Sequence, residues 1–259
     1  RYSPKFDVLE LPAYRVIRRI EQGHEFPSLP KGRIAIVMGS HPTWSATETR
    51  AIEKFCAAHN AVVVCDHTSG YHGKYRVLYA LAGGQVTADH SAMTPDLMIH
   101  VGEVSGDYYG SRIGGKQVWR VSKDGELRDK FKRLRYIFEM PEQVFFEHYS
   151  DTESFGANEY YEQCCASVAA IRESIPELPF SNVWLASRLA HRLPAGASIH
   201  FGILNSLRSW NFFELPETVT SASNVGGFGI DGGVSSLIGA SLANREKLYF
   251  GVMGDIAFF

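Results

Sequence analysis

With 259 residues, 45% hydrophobic and 21% charged, the chain can fill one or two ordinary cores and is unlike a disordered or fibrous protein. Its 26 Lys and Arg against 28 Asp and Glu leave a formal charge of −2, which gives no basic footprint for nucleic acid and no polybasic patch for a membrane surface. No apolar run approaches the roughly 20 residues of a membrane span, and the first residues lack the basic-then-apolar pattern of a secretory signal.

From Lys31 the sequence alternates strand and helix signals. Residues 1–30 carry Pro4, Pro12, Pro27 and Pro30 with little periodicity and read as an extended lead-in. RIAIVMGS (33–40) is a short apolar run ending in a turn, as expected of a buried parallel strand. Residues 45–60 form a helix in which Ser45 and Glu48 have capping-box spacing and Ala51, Ile52, Phe55 and Ala58 recur at helical intervals. AVVVCDH (61–67) is a strand, KYRVLYALAG (74–83) a short helix closed by glycine, and PDLMIHVGE (95–103) and KQVWRVS (116–122) two further strands. KFKRLR (130–135) reads as a solvated helix face, and the first unit ends within 134–150. A second unit begins near Asp151, with helices over 160–175 and 180–193, the latter capped by Ser181. ASIHFGILNS (197–206) and TVTSAS (218–223) are strands, residues 231–244 a helix with Val234, Leu237, Ile238, Ser241 and Leu242 on one face, and KLYFGVMGD (247–255) a last strand. This rhythm predicts an α/β protein of two doubly wound parallel-sheet units, residues 31–150 and 151–259.

Cys56, Cys65, Cys164 and Cys165 show no metal spacing, and their apolar neighbours suit reduced structural thiols in a cytoplasmic protein. The sequence opens RYSPKF without a methionine and stops at GVMGDIAFF within an apolar run, so a piece of a longer protein is expected.

The densest chemical signal is SNVGGFGIDGG (223–233), five glycines around one phenylalanine and one aspartate. Such a cluster serves either tight turns or a backbone that a ligand must approach closely. Here it lies between a strand and a helix, at the strand's carboxyl end, where open α/β sheets bind ligands. Two more strands are expected to end at the same edge, at Asn205-Ser206 and at Gly254-Asp255. No G-x-G-x-x-G follows the first strand of either unit and no Walker lysine is present, which leaves a nucleotide-dependent oxidoreductase without support. A strand running into Gly-Asp instead suits a magnesium-bridged diphosphate, with the carboxylate on the metal and backbone N–H groups on phosphate oxygens.

The combination of Asn224, Gly226, Gly229, Ile230, Asp231 and Gly232 with VMGD at 252–255 and Asn205-Ser206-Leu207 upstream resembles thiamine-diphosphate enzymes. Within them it is most similar to the 2-succinyl-5-enolpyruvyl-6-hydroxy-3-cyclohexene-1-carboxylate synthase family, which works in menaquinone biosynthesis. PDLMIHVGEVSGDY (95–108) is the most recognisable stretch of that family's non-catalytic middle domain, and 151–259 resembles the first part of its cofactor domain. The resemblance implies a thiamine diphosphate- and Mg²⁺-dependent transferase that decarboxylates a 2-oxoacid and passes the acyl carbanion to an acceptor. It implies Asp255 as Mg²⁺ ligand and the backbone of Gly254, Ile256 and Ala257 facing the diphosphate. Ile230 becomes the apolar prop under the cofactor, the backbone of Phe228 and Ile230 holds the aminopyrimidine, and Ser206 touches cofactor or substrate. It also implies a homodimer or homotetramer, with the activating glutamate in a domain upstream of this chain and a last magnesium ligand downstream, so the chain alone is expected to be inactive.

Two positions depart from the family. Val225 and Trp210 stand where the synthases carry arginines, and neither can grip a carboxylate as an arginine fork does. An altered, less anionic substrate is therefore expected, with Arg208 a candidate substitute. The alternative is a catalytically degenerate module serving in assembly or binding. The cluster Asp66, His67 and His72 imitates a metal site but lacks further ligands nearby, and the loop 39–42 reads as a structural turn.

Overall fold

A computed structural model describes residues 15–86, 90–107, 109–150, 156, 158–227 and 229–258. Its larger sheet contains β1 (Arg18–Glu21), β2 (Ile34–Met38), β3 (Ala61–Val64), β4 (Arg76–Val77), β5 (Leu97–Val101), β6 (Gln117–Ser122) and β7 (Leu134–Glu139). The strands are all parallel, in the order β1-β7-β6-β5-β2-β3-β4. From β2 the chain steps outward through β3 and β4, returns to lay β5 on the other side of β2, and steps outward again to β7. That reversal is the doubly wound arrangement the strand–helix rhythm predicts.

Both faces of this sheet are covered, which is why β2, β3 and β5 are buried along their whole length. Helices α1 (Ala46–His59), α2 (Ala80–Gly83), α3 (Glu142–Tyr149) and α4 (Glu159–Glu173) provide the cover. Successive side chains of a strand point to opposite faces. Ile34, Ile36 and Met38 accordingly meet Ile52 and Phe55 of α1 and Phe145 and Phe146 of α3. Ala35 and Val37 meet Leu81 of α2 and Tyr160, Cys164 and Val168 of α4. Each fully buried phenylalanine among these contributes on the order of 2 kcal/mol of transfer free energy. The capping box is present as read: the Glu48 N–H donates to Ser45 Oγ at 3.2 Å, and the Ser45 N–H donates to the Glu48 carboxylate at 2.8 Å.

Helix α4 packs on the first sheet. Tyr160 donates its hydroxyl to the Met93 carbonyl at 2.7 Å, and Asn158 Nδ2 donates to the carbonyls of Cys56 and Ala61 at 3.1 and 2.6 Å. The second unit has its own three-stranded parallel sheet, β8 (Ser198–Phe201), β9 (Thr220–Ser223) and β10 (Tyr249–Val252), in the order β10-β8-β9. With it run α5 (Asn182–Leu189), α6 (Asn205–Trp210), α7 (Gly233–Ala243) and α8 (Asp255–Phe258). Its core holds Ala186, Ile199, Phe201, Leu207, Trp210, Val219 and Val225.

The structure corrects four local expectations. The lead-in contains β1, an edge strand whose Ile20 pairs with Phe138 of β7; residues 1–14 lie outside the described residues. KYRVLYALAG splits into the two-residue strand β4 and the short α2, because Arg76 and Val77 complete the ladder beside Val63 and Val64. KFKRLR is no helix face: it turns at Lys132 (φ 56°) and enters β7, with Arg133 Nη1 donating to the Gly115 carbonyl at 2.6 Å and Leu134 buried. The strand read over 197–206 stops at Phe201, and Asn205 and Ser206 open α6 instead. On α7, Leu237 packs against Gly251, where a Cβ would meet its Cδ2 at 2.7 Å, while Ile238 and Leu242 of the same face are exposed.

Candidate cofactor site

The three strands of the second unit end level. Phe201 of β8 is the register partner of Ser223 in β9 and of Val252 in β10. Everything after these residues therefore emerges at one edge: Gly202 and α6, the glycine stretch, and Met253-Gly254-Asp255. Gly202 donates its N–H to the Val252 carbonyl at 2.7 Å, and a Cβ on Gly202 would lie 3.3 Å from Met253 Cα and 3.6 Å from Ser206 Oγ. The predicted residue Ser206 is thus brought to this edge, although from the first turn of a helix. Leu204, immediately before α6, has φ 64°, a conformation that bulky residues adopt only under strain and that concentrates at functional sites.

The glycines divide into two kinds. Gly232 has φ 76° and starts α7, a turn requirement. At Gly226, Gly227 and Gly254 no described atom lies within 4 Å of where a Cβ would sit, and none of them has positive φ. Neither packing nor turn geometry within the described chain calls for glycine there. A backbone left bare and open at the carboxyl edge of a parallel sheet fits a flat ring and a diphosphate that must lie against the main chain. Ile230 and Ile256 are both exposed. Asp255, at the start of α8, is exposed and Ala257 partly so. Phe228 lies outside the described residues. No group of three or more His, Cys, Asp or Glu side chains gathers among the described residues. Asp255 offers a single carboxylate, and Mg²⁺ that keeps water and phosphate oxygens as its other ligands needs few from the protein.

Sequence reasoning missed what holds the glycine stretch. Asn224 Oδ1 lies 3.1 Å from His200 Nε2, and Asn224 Nδ2 donates to Ser236 Oγ at 3.2 Å. With its amide committed to Ser236, Asn224 presents the carbonyl oxygen to His200, so the ring carries its proton on Nε2. Burial lowers the pKa of His200 and keeps it neutral, and the bond to Asn224 opposes that shift. The residue thereby straps β8 to α7 across the loop. Alternation in SIHF puts a histidine inside a short strand, which was the available signal.

The chain matches no family model. Over 175 residues it is 33% identical to the 2-succinyl-5-enolpyruvyl-6-hydroxy-3-cyclohexene-1-carboxylate synthase of Bacteroides fragilis, covering 64% of this chain and 30% of that protein. The enzyme of the same name from Bacteroides thetaiotaomicron is 29% identical over 174 residues, 64% of this chain and 30% of the relative. That of Syntrophus aciditrophicus is 26% identical over 226 residues, 80% of this chain and 38% of the relative. This chain is similar to part of these synthases. It spans about a third of the length of the curated relatives it matches.

The departures from the synthase pattern now have positions. Val225 is buried, and a Cβ on Gly106 of the first unit would meet its Cγ1 at 2.9 Å. Trp210 is buried against Phe201, ring centroids 5.5 Å apart. Both side chains fill the core of the second unit. Arg208 lines a separate cavity of about 190 Å³ with His100, Glu103, Arg128 and Lys130. Asp66, His67 and His72 do not converge as ligands: His67 Nε2 is bonded to the backbone carbonyls of Trp210 and Phe213 at 3.1 and 3.0 Å, and Asp66 is capped by Thr68. No helix among the described residues is long and apolar enough to cross a membrane.

Proposed function

We propose that the protein to which this chain belongs is a thiamine diphosphate- and Mg²⁺-dependent enzyme that decarboxylates a 2-oxoacid and transfers the acyl fragment to an acceptor. The observation that carries the reading is the open glycine backbone at three level strand ends, with Asp255 at the same edge. When bound, the cofactor supplies the electron sink for loss of CO₂. The chain's own part is to bind and orient: Asp255 takes the metal, the backbone of Gly254, Ile256 and Ala257 faces the diphosphate, and Ile230 presents its side chain to the cofactor's apolar surface. Ser206 stands at the α6 side of the crevice. Because Val225 and Trp210 are core residues, neither position supplies a carboxylate fork, and the substrate pair differs from that of the synthases. The complete enzyme works as a homo-oligomer, and this chain alone turns nothing over.

Calorimetric titration of the full-length protein with thiamine diphosphate, with and without Mg²⁺, tests the reading. Stoichiometric binding that requires Mg²⁺ is expected. No binding would favour the second reading, a degenerate module used in assembly, to which the two apolar replacements lend support.

A further inference from the structure

His67 sits between β3 and β4, in the first unit, yet three of its polar groups are bonded to the second. Its backbone N–H donates to Asn211 Oδ1 at 3.0 Å, and its carbonyl accepts from the Ser221 hydroxyl. Its ring Nε2 lies 3.1 Å from the Trp210 carbonyl and 3.0 Å from that of Phe213. Carbonyls only accept, so Nε2 carries the hydrogen and shares it between the two. The ring is stacked against Phe201, the last residue of β8, at 5.8 Å. His67 is 4% exposed, and Asn211 is fully buried.

These partners belong to every element that builds the α6 side of the crevice. Trp210 ends α6, Asn211 and Phe213 follow it, Phe201 ends β8, and Ser221 lies within β9. Helix α6 has six residues, so its two ends are only about 9 Å apart. What fixes its last carbonyl also fixes Asn205 and Ser206 at its first turn. The start of α6 has no side-chain cap and Leu204 with positive φ precedes it, so the helix is held by its buried Leu207 and Trp210 and by the bonds at its far end. Arg76 and Glu214, paired at 2.8 Å, cross the same boundary nearer solvent.

We infer that His67 is a positioning residue: from the first unit, it sets α6 and thereby Ser206 and the floor of the cofactor crevice. The role of the crevice rests on the function proposed above; the role of His67 in ordering α6 does not. Burial lowers the pKa of the ring, as does the Arg76 charge, against the opposing influence of Glu214, the bond to the Phe213 carbonyl and Asp66.

The full-length protein carrying His67→Phe keeps an aromatic ring against Phe201 and loses the donor; His67→Gln restores an N–H. In the Phe variant we expect amides of 205–213 to exchange with solvent about tenfold faster, amides of β2 and β5 to exchange as before, and thiamine diphosphate affinity with Mg²⁺ to fall about tenfold. The Gln variant should recover most of both. Unchanged exchange over 205–213 in the Phe variant would overturn the proposal, leaving His67 as filler of the boundary. If the wild type binds no cofactor, the functional reading fails while the exchange comparison still decides the positioning role. Should the Phe variant not fold, Ser221→Ala removes a single bond to His67; it should raise exchange over the same residues, and no change there would count against the proposal.

Discussion

Gly39 and Gly226 look alike in the sequence and differ in what surrounds them. A Cβ on Gly39 would lie 1.8 Å from the Glu103 backbone oxygen, where the loops after β2 and β5 cross. Gly39→Ala is therefore expected to destabilise by about 3 kcal/mol or more, since backbone, not a side chain, must move. Gly226→Ala and Gly227→Ala meet open space at ordinary φ and should change stability by less than about 0.5 kcal/mol. They should nevertheless weaken thiamine diphosphate binding by at least about tenfold, if the ring lies on that backbone. Urea titrations paired with calorimetry on the full-length protein separate the two effects. A loss of stability at Gly226 without loss of binding would mean that the glycines serve the fold. The residue scale is also where the sequence was least complete. The strand that leads to Gly254-Asp255 was legible because an apolar run is local. His67 and His200 were not, because a histidine's role is set by carbonyls and amides that only the folded chain brings to it.

Among the elements, those with a strong local pattern were readable and those defined by a distant partner were not. Helix α1 carries its own start signal in Ser45 and Glu48, and hydrogen bonds from the Ser45 backbone and hydroxyl lower the Glu48 pKa. Ser45→Ala should cost about 1 kcal/mol, read as a lower urea midpoint with unchanged slope. The depressed Glu48 value makes its contribution complete above the ordinary glutamate range and lost as pH falls through it. Strand β1 has no such signal: three of its four residues are exposed, and it is a strand only because β7 lies beside it. The two residues of β4 are too few for any period to register. Asn205 and Ser206 were read as a strand end because ILNS continues an apolar run, whereas the chain turns at Leu204 into a helix whose cost is met by packing Leu207 and Trp210 into the second core.

For the whole molecule, buried histidines govern the response to acid. Burial is the main cause of the lowered pKa of His67 and His200, and together with the adjacent Arg120 it takes His100 down to about 3. The unfolded chain takes up these protons near pH 6.5 while the folded one resists, so their contribution is complete above that value and is lost as pH falls. Asp107 opposes them. Burial and nearby Asp66 raise it to about 6, so the folded state gains that proton first and stability from this group rises as pH drops from 6 toward 4. Three groups outweigh one: the thermal midpoint is expected to fall between pH 7 and pH 5, and Asp107→Asn should steepen the fall. A midpoint flat across that range would contradict the buried, neutral state of the histidines. That the chain builds parallel sheets with helices was legible in outline. The allegiance of α4 was not, since an amphipathic helix does not name the sheet it covers, and Tyr160 and Asn158 tie it to the first.

The level strand ends at Phe201, Ser223 and Val252 bear on how the chain can vary in length. One residue added within β8, β9 or β10 advances that strand by about 3.3 Å and turns its inward side chains outward. The crevice would then have a step in its floor, and Ile199 or Phe201 would leave the second core. Insertions and deletions should thus be absent from 198–201, 220–223 and 249–252 in any functional variant. They should collect instead in the largely exposed link of 176–180 between α4 and α5, where neither sheet registers a change in count.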